Sequence, residues 1–385
     1  MKKLLLYISI LLLPVAAKAQ GSIVSKHDTV RFELVQNKII IPATLDGRAT
    51  RFIIDTGGRN LITGDSAEYH NVEVTARQLI SDVNSGSASM FSARAKELQL
   101  GPGIHLEAVP MLVAPPNNFF RELGVAGLLG SEAFSKVCLT IDKRAGHIVM
   151  SYPYRPRGLP KDDGMDIPPH KHWHPYIPIR IGGQEIHMLF DTGMDGFLNL
   201  TGSDFRKLAD NPFLSIDNEG YGFLNVGIGG IDAAQPEKIE LVRVAGMSFA
   251  GKCFENVVAT SQKLGGNSII GIGLLDYGRL VLDYPRAKIY FLPYEAGPTD
   301  LGEVTRIWNV KIMPIADHFE ITAVFGDLGV ELGDRVWAIG EIQLEGAELS
   351  ELYINRLLGK CTGGICQITV GVDKDNLRVV TIRKL

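Results

Sequence analysis

The chain contains 385 residues, of which 45% are hydrophobic and 21% are charged. This composition is typical of globular proteins, excludes a largely disordered chain, and at roughly 100–200 residues per domain predicts two or three folding units. The 42 Gly and 19 Pro residues favour frequent turns, so we expect a mostly β fold. The formal net charge of −4 argues against nucleic acid as a partner.

Residues 1–19 have the pattern of a secretory signal peptide. Lys2 and Lys3 precede an apolar run, and Ala17-Lys18-Ala19 fits a cleavage site. A membrane anchor is the alternative, but the apolar run of about twelve residues is shorter than the ~20 that a spanning helix needs. We therefore expect an exported protein, periplasmic or extracellular, with no transmembrane anchor after cleavage following Ala19.

The chain contains an internal repeat. The run Arg51-Phe-Ile-Ile-Asp-Thr-Gly-Gly58 returns later in the chain as His187-Met-Leu-Phe-Asp-Thr-Gly-Met194. A second pair, Leu128-Leu-Gly130 and Ile269-Ile-Gly271, follows in the same order and at nearly the same offset. Two landmarks that repeat in the same order indicate a duplication.

The duplication predicts two similar lobes, at residues 30–154 and 174–296. Between them, residues 155–173 are rich in Pro, Gly and charge and are predicted to form an exposed linker. Residues 303–385 break the repeat and predict a smaller third unit of strands, with a helix over 349–358.

The repeated aspartates, Asp55 and Asp191, are the candidate catalytic residues. A buried carboxylate at the end of an apolar strand is costly unless a partner stabilises it. If the lobes pack about a pseudo-twofold axis, the two carboxyl groups face each other and share one proton. One carboxyl then accepts a proton from water while the other donates to a carbonyl oxygen. The alternative is that Asp-Thr-Gly only marks a turn, which two copies inside a longer repeat make less attractive.

The residues that follow each aspartate are predicted to support the site. Thr56 and Thr192 carry hydroxyls that could hydrogen-bond across the axis and fix the two loops. Gly57 and Gly193 carry no side chain and permit a close approach of substrate or of the opposite loop.

Taken together, these motifs resemble the pepsin and retropepsin-like aspartic proteases over residues 30–295. The resemblance implies a bilobed acid-protease fold, a polypeptide substrate in a cleft between the lobes, and no cofactor or metal. It also implies that the bends near Gly86 and Gly229 are flaps over this cleft. Gly58 and Met194 stand where family members often carry a hydroxyl that bonds the aspartate. Losing that donor should raise the pKa of the shared proton and move activity toward less acidic pH.

The C-terminal unit resembles PDZ domains through Gly329-Val-Glu-Leu-Gly-Asp-Arg-Val-Trp-Ala-Ile-Gly340. This resemblance implies capture of extended peptide C-termini by strand addition. The loop expected to bind the carboxylate, near residues 312–318, contains Pro314 and no Gly.

Four further polar residues allow more than one interpretation. His170, His172 and His174 alternate and could hold zinc or nickel, but their position in the linker favours a solvated segment. Asp195, four residues after Asp191, is predicted to make surface or loop hydrogen bonds.

The four cysteines outside the signal peptide fall into two groups. Cys361 and Cys366 could close a small disulfide loop in an oxidising compartment, which the sequence leaves open. Cys138 and Cys253 lie in apolar, strand-like runs and are predicted to be buried.

The sequence therefore predicts an exported, all-β, bilobed aspartic endopeptidase with a C-terminal PDZ-like domain. Two other readings remain open. One is a catalytically inactive peptide-binding protein that uses the same cleft, and the other is a scaffold whose working part is the C-terminal unit.

Overall fold

The structure, a computed structural model, describes residues 27–81, 87–114, 118–153, 156, 158–159, 164–224, 235–262 and 266–385. Strands account for 54% of the fold and helices for 12%, which confirms the all-β class. The predicted signal peptide and the predicted flap tips near Gly86 and Gly229 lie outside the described residues. Within the described ranges, no helix is both long and apolar enough to cross a membrane.

The first lobe contains eleven strands and two short helices among the described residues. They are β1 (His27–Arg31), β2 (Glu33–Val35), β3 (Lys38–Leu45), β4 (Arg48–Asp55), β5 (Leu61–Thr63), α1 (Gly64–Tyr69), β6 (Glu73–Ser81), β7 (Ser87–Gln99), β8 (His105–Ala114), α2 (Asn118–Leu123), β9 (Gly127–Gly130), β10 (Cys138–Asp142) and β11 (His147–Ser151).

The second lobe repeats this series. Its elements are β12 (Met165–Asp166), β13 (Tyr176–Ile181), β14 (Gln184–Asp191), β15 (Leu198–Thr201), α3 (Gly202–Lys207), β16 (Leu214–Gly222), β17 (Glu237–Phe249), β18 (Lys252–Gln262), β19 (Ile269–Gly271), β20 (Gly278–Asp283) and β21 (Lys288–Pro293).

Six strands of each lobe close into a barrel. In the first lobe the hydrogen-bonded order is β3, β4, β9, β5, β8 and β7, and β7 returns to β3. In the second lobe β13, β14, β19, β15, β18 and β17 close in the same order. The two barrels are therefore copies of one topology, as expected from a duplicated sequence.

The same local chemistry builds both barrels. The hairpin that leads to each aspartate turns at residues with positive φ, Asp46-Gly47 in one lobe and Gly182-Gly183 in the other, which suits the twist of antiparallel strands. Helix α1 follows β5 and helix α3 follows β15. Each helix is capped at its N-terminus by a threonine, Thr63 or Thr201, whose hydroxyl accepts a backbone N–H from the first turn.

A separate six-stranded sheet joins the lobes, in the order β1, β11, β10, β20, β21 and β12. Its centre is the antiparallel pair of β10 and β20, one strand from each lobe. One apolar core runs through both barrels and this sheet; among its largest members are Phe52, Phe134, Phe190 and Phe249, each almost fully buried. The relative position of the lobes is thus set by shared backbone hydrogen bonds and shared core packing.

A short strand, β22 (Thr299–Asp300), follows the second lobe and pairs with β18. The C-terminal unit contains six strands and one α-helix. They are β23 (Val310–Ile315), β24 (His318–Phe325), β25 (Arg335–Ile339), β26 (Ile342–Gln343), α4 (Glu351–Leu358), β27 (Ile365–Gly371) and β28 (Arg378–Arg383).

The C-terminal unit contacts both lobes. Strand β24 pairs with β16 of the second lobe, so that the second barrel and the C-terminal unit form one continuous sheet. Leu352 of α4 is buried in an apolar cluster with Ile40, Ile53 and Phe120 of the first lobe. Because β3 and β4 carry Ile40 and Ile53, this helix packs against the strands that lead to Asp55.

Cys361 and Cys366, whose pairing the sequence leaves open, form a disulfide. The burial prediction is confirmed for Cys138 and wrong for Cys253, which is exposed. Cys253 is the second residue of β18 and alternates with the buried Phe254, so its side chain faces outward.

Candidate active site

Each predicted catalytic aspartate ends a central barrel strand. Asp55 is the last residue of β4 and is paired in parallel register with Gly130, while Asp191 ends β14 and is paired with Gly271. A Cβ at Gly130 would lie 2.3 Å from the backbone oxygen of Gly58, which shows how closely β9 passes behind the loop. The two apolar-apolar-Gly runs therefore support the aspartate loops directly.

The structure brings the two carboxyl groups together. Their side chains are hydrogen-bonded to each other. The carboxyl carbon of Asp191 lies only 2.4 Å from where a Cβ on Gly57 would stand, and that of Asp55 lies 2.8 Å from the corresponding position on Gly193. Each glycine also donates its backbone N–H to the Oδ1 of its own aspartate, at 3.1 Å for Gly57 and 2.7 Å for Gly193. Any side chain at either glycine would occupy the space of a carboxyl group.

The pKa of Asp55 is raised well above its ordinary value. Burial is the largest cause, and the negative charge of Asp191 and the hydrogen bond with it act in the same direction. The charge of Lys38 and the N–H of Gly57 lower the pKa by smaller amounts. The raised pKa indicates that the two carboxyl groups share one proton, which is the singly protonated state that two adjacent acids adopt.

Two buried threonines lock the aspartate loops to each other. The N–H of Thr56 donates to Oγ1 of Thr192 at 3.1 Å, and the N–H of Thr192 donates to Oγ1 of Thr56 at the same distance. Each hydroxyl then donates at 2.8 Å to a carbonyl of the other lobe, Thr56 to Phe190 and Thr192 to Ile54. All four bonds cross the pseudo-twofold axis, so the distance between the two loops is fixed by a closed network.

The position after the first Asp-Thr-Gly lies close against the aspartate. A Cβ at Gly58 would lie 2.7 Å from Oδ2 of Asp55, so a side chain there would require the carboxyl group to shift. In the second loop, the backbone N–H of Met194 donates to the Asp191 carbonyl, and the Met194 carbonyl accepts from Ile272. Neither residue supplies a side-chain hydroxyl to its aspartate.

Sequence reasoning missed one charged residue of the site, Lys38, whereas its partner Asp195 is an exposed loop residue that makes a hydrogen bond, as predicted. Lys38 is buried, and its ammonium group donates to the carbonyl of Gly193 at 2.6 Å and forms an ion pair with Asp195. Asp195 thus makes a contact between lobes as well as being partly exposed. The available signal was the repeat itself, since Lys38 precedes His174 by the same offset that relates the two aspartates.

The three linker histidines lie beside the first aspartate loop. Nε2 of His174 is 3.3 Å from the carbonyl of Gly58, and the His174 ring stacks on that of His170 with centroids 4.7 Å apart. Burial, chiefly, lowers the pKa of His172 and of His174 to about 4. The prediction of a solvated linker is therefore wrong for His174, which is half-buried. Among the described residues, no group of three or more His, Cys, Asp or Glu could hold a metal ion.

The hairpins predicted to carry the flaps are described only in their stems. In the first lobe β6 pairs with β7, and β6 is the outermost strand of its sheet. In the second lobe β16 pairs with β17 on one edge and with β24 of the C-terminal unit on the other. The two stems therefore have different surroundings despite their common topology.

Comparison with known proteins supports part of this reading. Residues 41–133 match the model of a family described as aspartyl protease, and this segment includes Asp55, Thr56 and Gly57. A comparison with curated proteins finds no match. One solved structure, titled "Crystal structure of edgp", aligns with a TM-score of 0.41 and 10% sequence identity, over 70% of this chain and 95% of that chain.

Proposed function

We propose that this protein is an exported aspartic endopeptidase in which Asp55 and Asp191 activate a water molecule to hydrolyse peptide bonds. The observation that carries the proposal is the hydrogen-bonded pair of partly buried carboxyl groups at the junction of two equivalent loops. The match of residues 41–133 to an aspartyl protease family supports it. Export rests on the signal-peptide pattern of residues 1–19.

The chemistry follows from the protonation of the pair. The charged carboxyl group of the pair accepts a proton from water as the water oxygen bonds to the peptide carbon, and the shared proton on the other carboxyl group passes to the carbonyl oxygen. In the second step the C–N bond breaks, the nitrogen takes the proton that came from water, and a hydroxyl of the intermediate returns its proton to the other carboxyl group. The pair ends as it began, with no covalent intermediate, so Thr56 and Thr192 have only to keep the loops at a fixed distance.

The substrate is proposed to be an extended polypeptide lying between the lobes and under the two hairpins. The C-terminal unit is proposed to be PDZ-like, with peptide C-termini as ligands and a role in substrate recruitment or in regulation of the cleft. Its pairing with β16 and the contact of Leu352 with the first lobe favour an action in cis, because ligands of this unit would act on elements attached to both lobes.

The direct test is cleavage of a peptide library by the purified protein, read by mass spectrometry over a range of pH. Wild-type protein should cleave, whereas Asp55→Asn, Asp191→Asn and the double variant should not. Thermal unfolding of each variant establishes that the fold is retained. Undiminished cleavage by a folded double variant would show that these aspartates are not the catalytic pair.

A peptide-binding protein without catalysis is the second candidate, favoured by the missing hydroxyl donors at Gly58 and Met194. The two candidates differ in their response to a statine-type inhibitor, whose central hydroxyl replaces the attacking water. An enzyme should bind this compound far more tightly than the matching peptide, because catalytic sites are complementary to the transition state. A binding protein should hold both with similar affinity and release the peptide intact.

A further inference from the structure

Two basic residues occupy equivalent positions of the repeat beside the aspartate pair. Lys38 begins β3, the first barrel strand of the first lobe, and His174 stands two residues before β13, the first barrel strand of the second. The same number of positions separates Lys38 from His174 as separates Asp55 from Asp191. The duplication has therefore placed one basic residue in each lobe at or just before the start of the first barrel strand.

Both side chains reach across the axis to the aspartate loop of the other lobe. Lys38 donates to the carbonyl of Gly193 at 2.6 Å, and His174 lies 3.3 Å from the carbonyl of Gly58, to which its Nε2–H can donate. Each basic residue thus contacts the aspartate loop of the other lobe. A buried ammonium group needs such partners, and Lys38 has both this carbonyl and the carboxylate of Asp195.

The two residues differ in charge. The pKa of His174 is lowered to about 4 by burial and by the neighbouring His170, so His174 is neutral over most of the pH range. Lys38 carries a positive charge, and this charge lowers the pKa of Asp55. The site therefore has one fixed cation on one side of the aspartate pair, partly neutralised by Asp195, and a neutral hydrogen-bonding group on the other.

The remaining charged groups nearby belong to the loop after Asp55 and to the linker. The charge of Arg59 lowers the pKa of His172 and of His174. Glu132 lies 4.0 Å from Arg59 and 3.9 Å from His172. The titratable and charged groups around the pair in the described residues are Lys38, Asp195, Arg59, Glu132, His170, His172 and His174.

We propose that Lys38 is a positioning residue of the active site: it holds the second aspartate loop against the first lobe, and its charge stabilises the ionised form of the aspartate pair. It provides the electrostatic stabilisation that a hydroxyl at position 58 or 194 would otherwise give. Asp195 fixes the ammonium group and limits its effect. The inference rests on the proposed peptidase function of the pair.

The test is the pH dependence of kcat/KM for Lys38→Met, with Lys38→Arg as the conservative variant. Removing the cation should move both limbs of the profile to higher pH, because the charge of Lys38 lowers the pKa of Asp55. The shift should be smaller than the roughly three pH units that an uncompensated charge about 4 Å away gives at an effective dielectric constant of about 20, because Asp195 offsets part of the charge. Lys38→Arg should restore the wild-type limbs. Lys96→Met, which removes an exposed lysine of β7, is the matched control and should leave them in place.

Asp195→Asn provides a second, opposite test that does not depend on the folding of Lys38→Met. Removing this carboxylate leaves the charge of Lys38 uncompensated, so the limbs should move to lower pH. His174→Gln should reduce kcat without displacing the limbs at pH values well above the pKa of His174, because the histidine is neutral there. If Lys38 and Asp195 only stabilise the lobe contact, both variants should lose activity with unmoved limbs.

The outcome separates this inference from the proposed function. An inactive wild-type protein overturns the peptidase assignment. An active wild-type protein with unmoved limbs in folded Lys38→Met and Asp195→Asn, or with limbs that move in the same direction, overturns the role of Lys38 alone.

Discussion

Replacing Gly57 with alanine adds one methyl group between the two aspartates. The new Cβ would lie 2.4 Å from Cγ of Asp191, and 2.5 and 2.8 Å from its two oxygens. Ordinary contacts of a Cβ begin at about 3.4 Å, so the carboxyl group has to retreat by about 1 Å. The equivalent change at Gly193 brings a Cβ to 2.8 Å from Cγ of Asp55 and requires a smaller retreat.

The size of the effect follows from this displacement. Misplacing a reacting group by about 1 Å costs on the order of 100-fold in rate. Overpacking costs about 1–3 kcal/mol of stability, and alanine regains about 0.4–1 kcal/mol by restricting the unfolded chain. Gly57→Ala should therefore lower kcat/KM at least as far as this rate estimate and lower the free energy of unfolding by about 1–2 kcal/mol. Gly193→Ala should lose less kcat/KM and less free energy of unfolding than Gly57→Ala.

The assay compares initial rates on a cleaved peptide with urea unfolding of the same preparations. Gly64→Ala is the matched control, because a Cβ at Gly64 meets nothing within 4 Å and this residue begins α1. The control should keep full activity. Wild-type kcat/KM in Gly57→Ala would refute the reasoning, since the two carboxyl groups could not then lie where the structure places them.

Three further predictions concern stability. The pKa of Asp55 is raised above its ordinary value of 3.8, so the folded protein loses stability as the pH rises from 3.8 to the raised pKa. Asp55→Asn should therefore raise Tm at neutral pH and change Tm less near pH 3.8. Thr56→Val leaves the buried N–H of Thr192 without its acceptor and should cost about 1–3 kcal/mol in urea unfolding, whereas Thr56→Ser should cost less. Leu352→Ala should speed hydrogen exchange in β3 and β4, measured by mass spectrometry, more than Leu357→Ala, because Leu357 packs only within the C-terminal unit. Equal exchange in the two leucine variants would contradict the contact of α4 with the first lobe.

The features that could be predicted from the sequence are those that the duplication repeats. The Asp-Thr-Gly loops follow apolar strands, and the same local pattern occurs twice, so the common barrel topology and the meeting of Asp55 with Asp191 could be expected. The disulfide of Cys361 and Cys366 could be expected only as one of two outcomes. Its short loop allows the bond, but spacing alone cannot decide it.

The contacts that Lys38 and His174 make with the other lobe were not predicted, because they join residues that are far apart in the chain and lie outside the repeated Asp-Thr-Gly motifs. Lys38 and Asp195 are separated by 157 positions, and each has the appearance of an ordinary surface charge until its partner is known. His174 lies in a segment whose Pro and Gly content is typical of solvated linkers, yet its ring packs on the first aspartate loop. Composition describes the average environment of a segment and not the neighbour that each side chain meets.

The pairing of β16 with β24 makes the surroundings of the two equivalent hairpins asymmetric. Three residue pairs, Gly220 with Phe325, Tyr221 with Val324 and Gly222 with Ala323, attach the second-lobe hairpin to the C-terminal unit, whereas β6 has a free outer edge among the described strands. Displacing the second-lobe hairpin would break these backbone hydrogen bonds, each worth about 1 kcal/mol net, whereas displacing the first-lobe hairpin would break no equivalent bonds among the described strands. If a polypeptide binds in the cleft that we propose, it would therefore lie between one hairpin stem that is paired on both edges and another that is paired on one edge among the described strands, although the duplicated sequence makes the two stems equivalent.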